Sequence, residues 1–293
     1  MSFGDFMQGN WWRMPLNVWT EAVVEWLTLN LRGFFGLVKT VAQGLYDGLH
    51  WVLDAPPFVI VALVLTAIAF AASGWKLALG TAISLTVIDL VGQWDNAMES
   101  LALTLLASII ALLIGFPLGI LAAKSQRFSA FIRPVLDFLQ TMPAFVYLIP
   151  VVVIFYAGAV SGLVATVIFA LAPAVRFTEL GIRQVDSEVT EAGHAFGAPP
   201  RQILRQIEIP LAMPTIMAGV NQVIMLALSM VVIAGMVGAG GLGSDVYQAL
   251  TRVQVGLGFE AGLGVVLLAI FLDRVTASLS KRTPVARALR ATE

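Results

Sequence analysis

The sequence predicts an all-α membrane protein, a polytopic helical bundle of about seven transmembrane helices. Three observations carry this. Of the 293 residues, 59% are hydrophobic and only 12% charged, about half the charged share of an ordinary soluble domain. The mean hydropathy is +0.89, and a water-soluble fold cannot hide so much apolar surface. The apolar residues also fall into stretches near the ~20 residues with which a helix crosses the hydrocarbon core.

Residues 1–56 read as an external or interfacial segment. Within it Phe34, Leu37, Val38, Val41, Leu45, Leu49 and Val52 recur at spacings of three and four, with Lys39 and Asp47 on the opposite face. This amphipathic pattern suits a helix on the membrane plane or one packed on another helix. Asp54-Ala55-Pro56-Pro57 ends it. The transmembrane domain then runs over 57–280, with spans at roughly 57–74, 75–93, 99–123, 132–157, 160–181, 211–237 and 258–279. Ser73-Gly74-Trp75-Lys76 makes a tight hairpin between the first two. Residues 281–293 form a cytoplasmic tail.

With seven spans and the N-terminus outside, 13 of the 17 lysines and arginines fall on the cytoplasmic side. Only Arg13, Arg32, Lys39 and Arg252 fall outside. The excess of basic residues on cytoplasmic loops therefore selects N-out, C-in. The absence of cysteine excludes disulfides, thiolate metal sites and cysteine nucleophiles. The two histidines, His50 and His194, are far apart. No basic region precedes the first apolar stretch and no small-residue cleavage site follows it, so no cleavable signal peptide is expected.

Most connections are short, but residues 182–210 form a long cytoplasmic insertion. Asp186 or Ser187 can cap a helix whose first turns carry Glu188 and Glu191, where the dipole favours acids. Gly197 can end it in the left-handed conformation. Pro199 and Pro200 suit the start of a second short helix, and Pro210 precedes the next span. The insertion thus reads as a stiff helix–turn–helix. Residues alone leave open whether it floats at the interface or docks on something.

The run Glu191-Ala192-Gly193, then Gly197, then nine residues, then Ile207-x-Ile209-Pro210, resembles the EAA loop of ABC importer permeases. Gly193 stands where the family pattern has a second alanine, and Ile209 where it has leucine. The run 140–150 from Gln140 to Pro150, the run 210–222 from Pro210 to Gln222, and residues 227–243 resemble the glycine betaine/proline branch. That likeness covers about residues 30–280. It implies the MetI-like fold of type I importer permeases in a bacterial inner membrane. It also implies two ATPase subunits, a second permease copy in a homodimer, and a periplasmic or lipid-anchored binding protein. Glu191, Ala192, Gly193, Gly197, Ala198 and Pro210 would form the docking element. The chain would bind no cofactor, with ATP and magnesium held by the partners. None of the four lysines follows a glycine, so the Gly-Lys step of a phosphate loop is missing. No nucleic-acid partner is expected.

Polar groups in the spans mark a candidate solute path, because such groups face a bundle interior or a cavity. These are Gln140, Thr141, Asn221, Gln222 and Ser229, with Pro143 and Pro150 expected to break the fourth helix near Tyr147. Thr141, Asn221 and Ser229 serve equally well as hydrogen-bonding glue between helices. Asp137 and Asp273 are expected to pair with the adjacent Arg133 and Arg274. Gly238–Gly243 reads as a turn or re-entrant loop at the outer gate, since no strand precedes it. Other readings are a methionine or oxyanion permease and an ion-coupled secondary transporter, which would need acids at the midplane.

Overall fold

A computed structural model describes residues 15–281. Among them all regular structure is helical. Helices α1 (Leu16–Asn30) and α2 (Arg32–Asp54) lead into a hairpin of α3 (Phe58–Ser73) and α4 (Trp75–Leu90). The bundle proper contains α5 (Trp94–Lys124), α6 (Gln126–Thr141), α7 (Ala144–Phe155) and α8 (Ala159–Arg183). After it come α9 (Ser187–Ala195), α10 (Pro200–Ile203), α11 (Ile209–Ala234), α12 (Gly241–Arg252) and α13 (Val255–Lys281). The expected tail over 281–293 lies, Lys281 apart, outside the described residues.

Helix α8 is the centre of the bundle, packed on α5 along one side and on α11 along another. Small residues allow this. A Cβ built on Gly115 would lie 2.3 Å from Ala174 Cβ, and one on Gly119 would lie 2.5 Å from Thr178 Cβ. Gly115 and Gly119 form a G-x-x-x-G stripe, the pattern that lets membrane helices approach backbone to backbone. Gly219 of α11 meets Phe177 in the same way, at 2.4 Å. Buried Met98, Leu101, Leu163, Met230, Leu242 and Leu268 close the core around these crossings. The α3–α4 hairpin packs on α13.

Two features bear on the reading of about seven spans with the fourth broken at its prolines. Length and apolarity admit four membrane-crossing helices, Trp94–Lys124, Ala159–Arg183, Pro200–Val237 and Val255–Leu279, or six if each of two bent pairs counts as one span. The hairpin helices α3 and α4 have 16 residues each, about 24 Å at 1.5 Å per residue, short of a full crossing. The stretch 132–157 is not one helix, because α6 and α7 meet at 97°. Met142, preceding a proline, is driven out of the helical region to φ −69°, ψ 135°, and Pro143 has no N–H to continue the ladder. Pro150, expected to break the helix too, sits within α7.

The amphipathic segment is indeed helical, and α2 turns through 100° into α3 at the Ala55-Pro56-Pro57 step. Five of its seven stripe residues face outward, while Val38 and Leu49 pack on the core. Phe34, Leu37, Val41, Leu45 and Val52 are exposed, while Ala42, Tyr46 and Leu53 are buried against the bundle. Lys39 lies 4.8 Å over the Tyr156 ring and Phe35 meets Phe155 edge-on, so α2 is seated at the α7–α8 turn.

Candidate functional site

The insertion folds as a capped helix and a return limb. Asp186 accepts a hydrogen bond from the Glu188 amide at 2.9 Å and so caps α9. At the other end Gly197 has φ +78°. Its amide donates to the His194 carbonyl at 2.9 Å, and the Ala198 amide donates to the Gly193 carbonyl at 3.1 Å, the paired bonds of a Schellman stop. Glu191 and Ala192 are exposed on α9, and Phe196 beside them is 92% exposed.

Gly193 points the other way, into the loop's own return limb. A Cβ there would lie 2.9 Å from Ile207 Cδ1, so the small residue lets α9 rest on Ile203 and Ile207. Ala198 is half-buried. Pro210 does not interrupt the chain before the next span. It lies in the first turn of α11, and the helix runs without a break from Pro200 to Val237. A π-helical turn over Leu204–Glu208 leads into it, widening the helix where the Pro210 ring would otherwise meet the carbonyl four residues back.

Both limbs are tied to the turn between α5 and α6. Lys124 Nζ donates to Glu208 at 2.6 Å. Arg183 donates to the Ala122 carbonyl at 2.8 Å and to Gln126 Oε1 at 3.1 Å. Buried Glu179 accepts from Ser129 Oγ at 2.7 Å and Arg133 Nη2 at 2.9 Å, and Arg183 Nε makes an ion pair with it at 2.9 Å. Asp137 is paired with Arg176, not with Arg133. Arg133, Asp137, Arg176, Glu179 and Arg183 line a cleft of about 360 Å³ between α6 and α8.

The path candidates are not brought together. Gln140 is exposed, and Thr141 donates only to the Phe138 carbonyl of its own helix at 3.3 Å. Gln222 and Ser229 are exposed on α11, and Ser229 donates to the Met225 carbonyl at 3.0 Å. Tyr147 is buried, with its hydroxyl unpaired and its ring 6.3 Å from Phe169. Asn221 joins two helices, donating to Asp273 at 3.0 Å and accepting from Thr276. Asp273 thus has Asn221 as its near partner, with Arg274 at 3.9 Å. At the far end of the bundle the glycine turn is already occupied by protein. Glu99 accepts from the Gly241 amide and Ser100 from the Leu242 amide at 2.9 Å. Asp245 accepts there from Gln93 at 2.9 Å and Asn96 at 2.8 Å.

Residues 115–284, which hold the loop and its ties, match the family described as binding-protein-dependent transport system inner membrane component. The chain belongs to that family. It is 45% identical over 268 residues to the glycine betaine/proline betaine transport system permease protein ProW of Escherichia coli, covering 92% of this chain and 76% of that one. It is 46% identical over 273 residues to the glycine betaine/carnitine transport permease protein GbuB of Listeria monocytogenes, covering 92% and 96%. In fold it resembles a chain of the MetNI methionine ABC transporter in an inward-facing conformation. There the TM-score is 0.59 at 21% identity, over 63% of this chain and 93% of that one. The bundle is therefore of the MetI type.

Within this inner membrane component, several residues that hold the site together escape a reading by hydropathy. Glu179, Lys124 and Glu208 look like ordinary interfacial charges until the fold pairs them. Gly115 and Gly119 carry a legible signal in their spacing, which identifies a close helix crossing though not its partner.

Proposed function

We propose that the chain is the permease subunit of an ATP-driven importer of glycine betaine, proline betaine or a related quaternary amine. Its N-terminus lies outside and its C-terminus in the cytosol. Separate ATPase subunits, two per transporter, hold ATP and magnesium and seat on α9. A second copy of this chain completes the membrane unit, and an external binding protein delivers the solute.

The observation that carries the reading is α9 itself. It is a short helix capped at both ends, standing clear of the bundle with Glu191, Ala192 and Phe196 exposed, and its limbs run directly into two long helices. A rigid, exposed element of this kind suits a docking contact through which work done elsewhere enters the bundle. The substrate class rests on the relatives, whose names specify betaines at 45% identity and above. The methionine transporter shares the fold alone at 21% identity. Orientation rests on the basic residues, since Lys124, Arg133, Arg176 and Arg183 gather at the loop end of the bundle.

The test is co-expression with the partner ATPase and binding protein in vesicles. Glu191→Lys and Phe196→Asp should abolish ATPase co-purification and betaine uptake while membrane insertion stays normal. Uptake that survives both changes, or uptake in vesicles free of any ATPase, would refute the assignment.

A further inference from the structure

We propose that the turn between α5 and α6 is clamped to both limbs of the α9 loop, and that this clamp passes loop movement to the broken pair α6–α7. The proposal deepens the reading above and rests on it. The outgoing limb leaves α8 at Arg183. Its guanidinium spreads over three partners, Glu179 at 2.9 Å, the Ala122 carbonyl at 2.8 Å and Gln126 Oε1 at 3.1 Å. The returning limb arrives at Glu208, 8% exposed, which holds Lys124 at 2.6 Å. Ala122, Lys124 and Gln126 flank a single turn, with Ser125 capping α6. One small segment is thus held from two sides.

A second tie sits one step further along α6. Glu179, 4% exposed, takes hydrogen bonds from Ser129 and Arg133, both of α6, and is ion-paired with Arg183. Charge-assisted bonds of this length with one buried partner are stronger than exposed ion pairs. The limbs are also fixed to each other. A Cβ on Gly181 would lie 3.1 Å from the Ala212 carbonyl, and Ile182, Ala212 and Ile216 form one buried cluster. The limbs therefore move as a unit and carry the start of α6 with them. Helix α6 leads through the 97° bend at Met142–Pro143 into α7, where Tyr147 is buried. The loop reaches that bend through this set of polar bonds at the head of α6 and the α6–α8 contact, beside the direct packing of α7 on α8 and α11. Lys124, Arg133, Glu179, Arg183 and Glu208 are positioning residues.

The experiment uses the whole transporter in vesicles with glycine betaine as solute. Lys124→Met and Glu208→Gln should leave assembly and ATP hydrolysis intact but lower the solute moved per ATP by about fivefold or more, the scale of a typical coupling energy. Lys124→Arg should keep the native ratio, and the double reversal Lys124→Glu with Glu208→Lys should recover most of it. The chain has no cysteine, so spin labels can be placed cleanly on Arg127→Cys and Arg201→Cys, both exposed. Their separation should be the same without nucleotide and with ATP trapped when the clamp is intact, and should change with ATP in Lys124→Met. A native transport ratio in both single variants, or a label distance that shifts with ATP in the intact clamp, would overturn the proposal. If Lys124→Met fails to assemble, the distance in the intact clamp decides alone. Loss of ATPase association in Glu191→Lys bears on the docking assignment, so the two ideas fail by different readouts.

Discussion

Gly115 and Gly119 show how much a single missing methyl can decide. The Cβ of an alanine at Gly115 would stand 2.3 Å from Ala174 Cβ, inside any permitted contact, so α5 and α8 would have to separate. Gly115→Leu should destabilise the bundle by at least about 1–3 kcal/mol, the usual cost of overpacking. It should appear as a lower melting temperature in detergent and as lost monodisperse protein. Asn221 offers a contrasting case. It serves as a bridge between α11 and α13 through Asp273 and Thr276. Asn221→Ala should cost about 0.6–2 kcal/mol of stability, and solute-stimulated ATP hydrolysis in the variant measures any share it has in transport. An unchanged stability with lost stimulation would place it on the solute path instead. The sequence shows that both residue types sit in apolar helices. The partner is a tertiary fact, because Asp273 lies 52 residues away along the chain.

At the scale of elements, the loop is governed by its two ends. No atom lies within 4 Å of a Cβ built on Gly197, yet its φ is +78°. A side chain there meets no steric neighbour, only the intrinsic strain of the left-handed region, about 1–2 kcal/mol. Gly197→Val should therefore loosen the loop more than Gly197→Asn, seen as faster amide exchange at Gly197 and Ala198 while the bundle amides stay protected. Equal exchange in the two variants would mean that the Schellman stop is not what holds α9. Asp186→Ala, removing the cap at the other end, should cost about 1 kcal/mol. These caps were legible because capping is local chemistry, set by residues within a turn of one another. The 97° bend was legible only in part. Pro143 announces an interruption, but its angle depends on where α6 can rest, and that is set by Leu136 buried against α8 and by the bonds of Ser129 and Arg133 to Glu179 of α8.

For the molecule as a whole, the loop and the glycine turn lie at opposite ends of the long helices. The orientation proposed above makes a direct prediction. In sealed right-side-out vesicles, a membrane-impermeant thiol reagent should label Gln254→Cys and leave Gln202→Cys untouched, both sites being exposed. The reverse pattern would invert the topology. The outward-facing apolar stripe of α2 belongs at this scale too. Periodicity identified the stripe and left two directions open, since in a lipid-embedded bundle an apolar face serves as well toward lipid as toward protein. What buries the other face is Ala42 and Tyr46, a small and an aromatic residue that hydropathy does not single out.

Composition, the ~20-residue apolar runs and the capping residues determined by themselves that this chain is a helical membrane protein with a stiff insertion between two long helices. Each of these is written in residues close together along the chain, and the pressures that act on them, lipid and unpaired backbone groups, act locally. Only the tertiary structure decided which charges meet, which helices touch through glycine, and where the fourth apolar stretch turns. Those outcomes depend on groups as far apart as Lys124 and Glu208, which no local pattern brings together. Their energies become favourable only once the long helices have already packed.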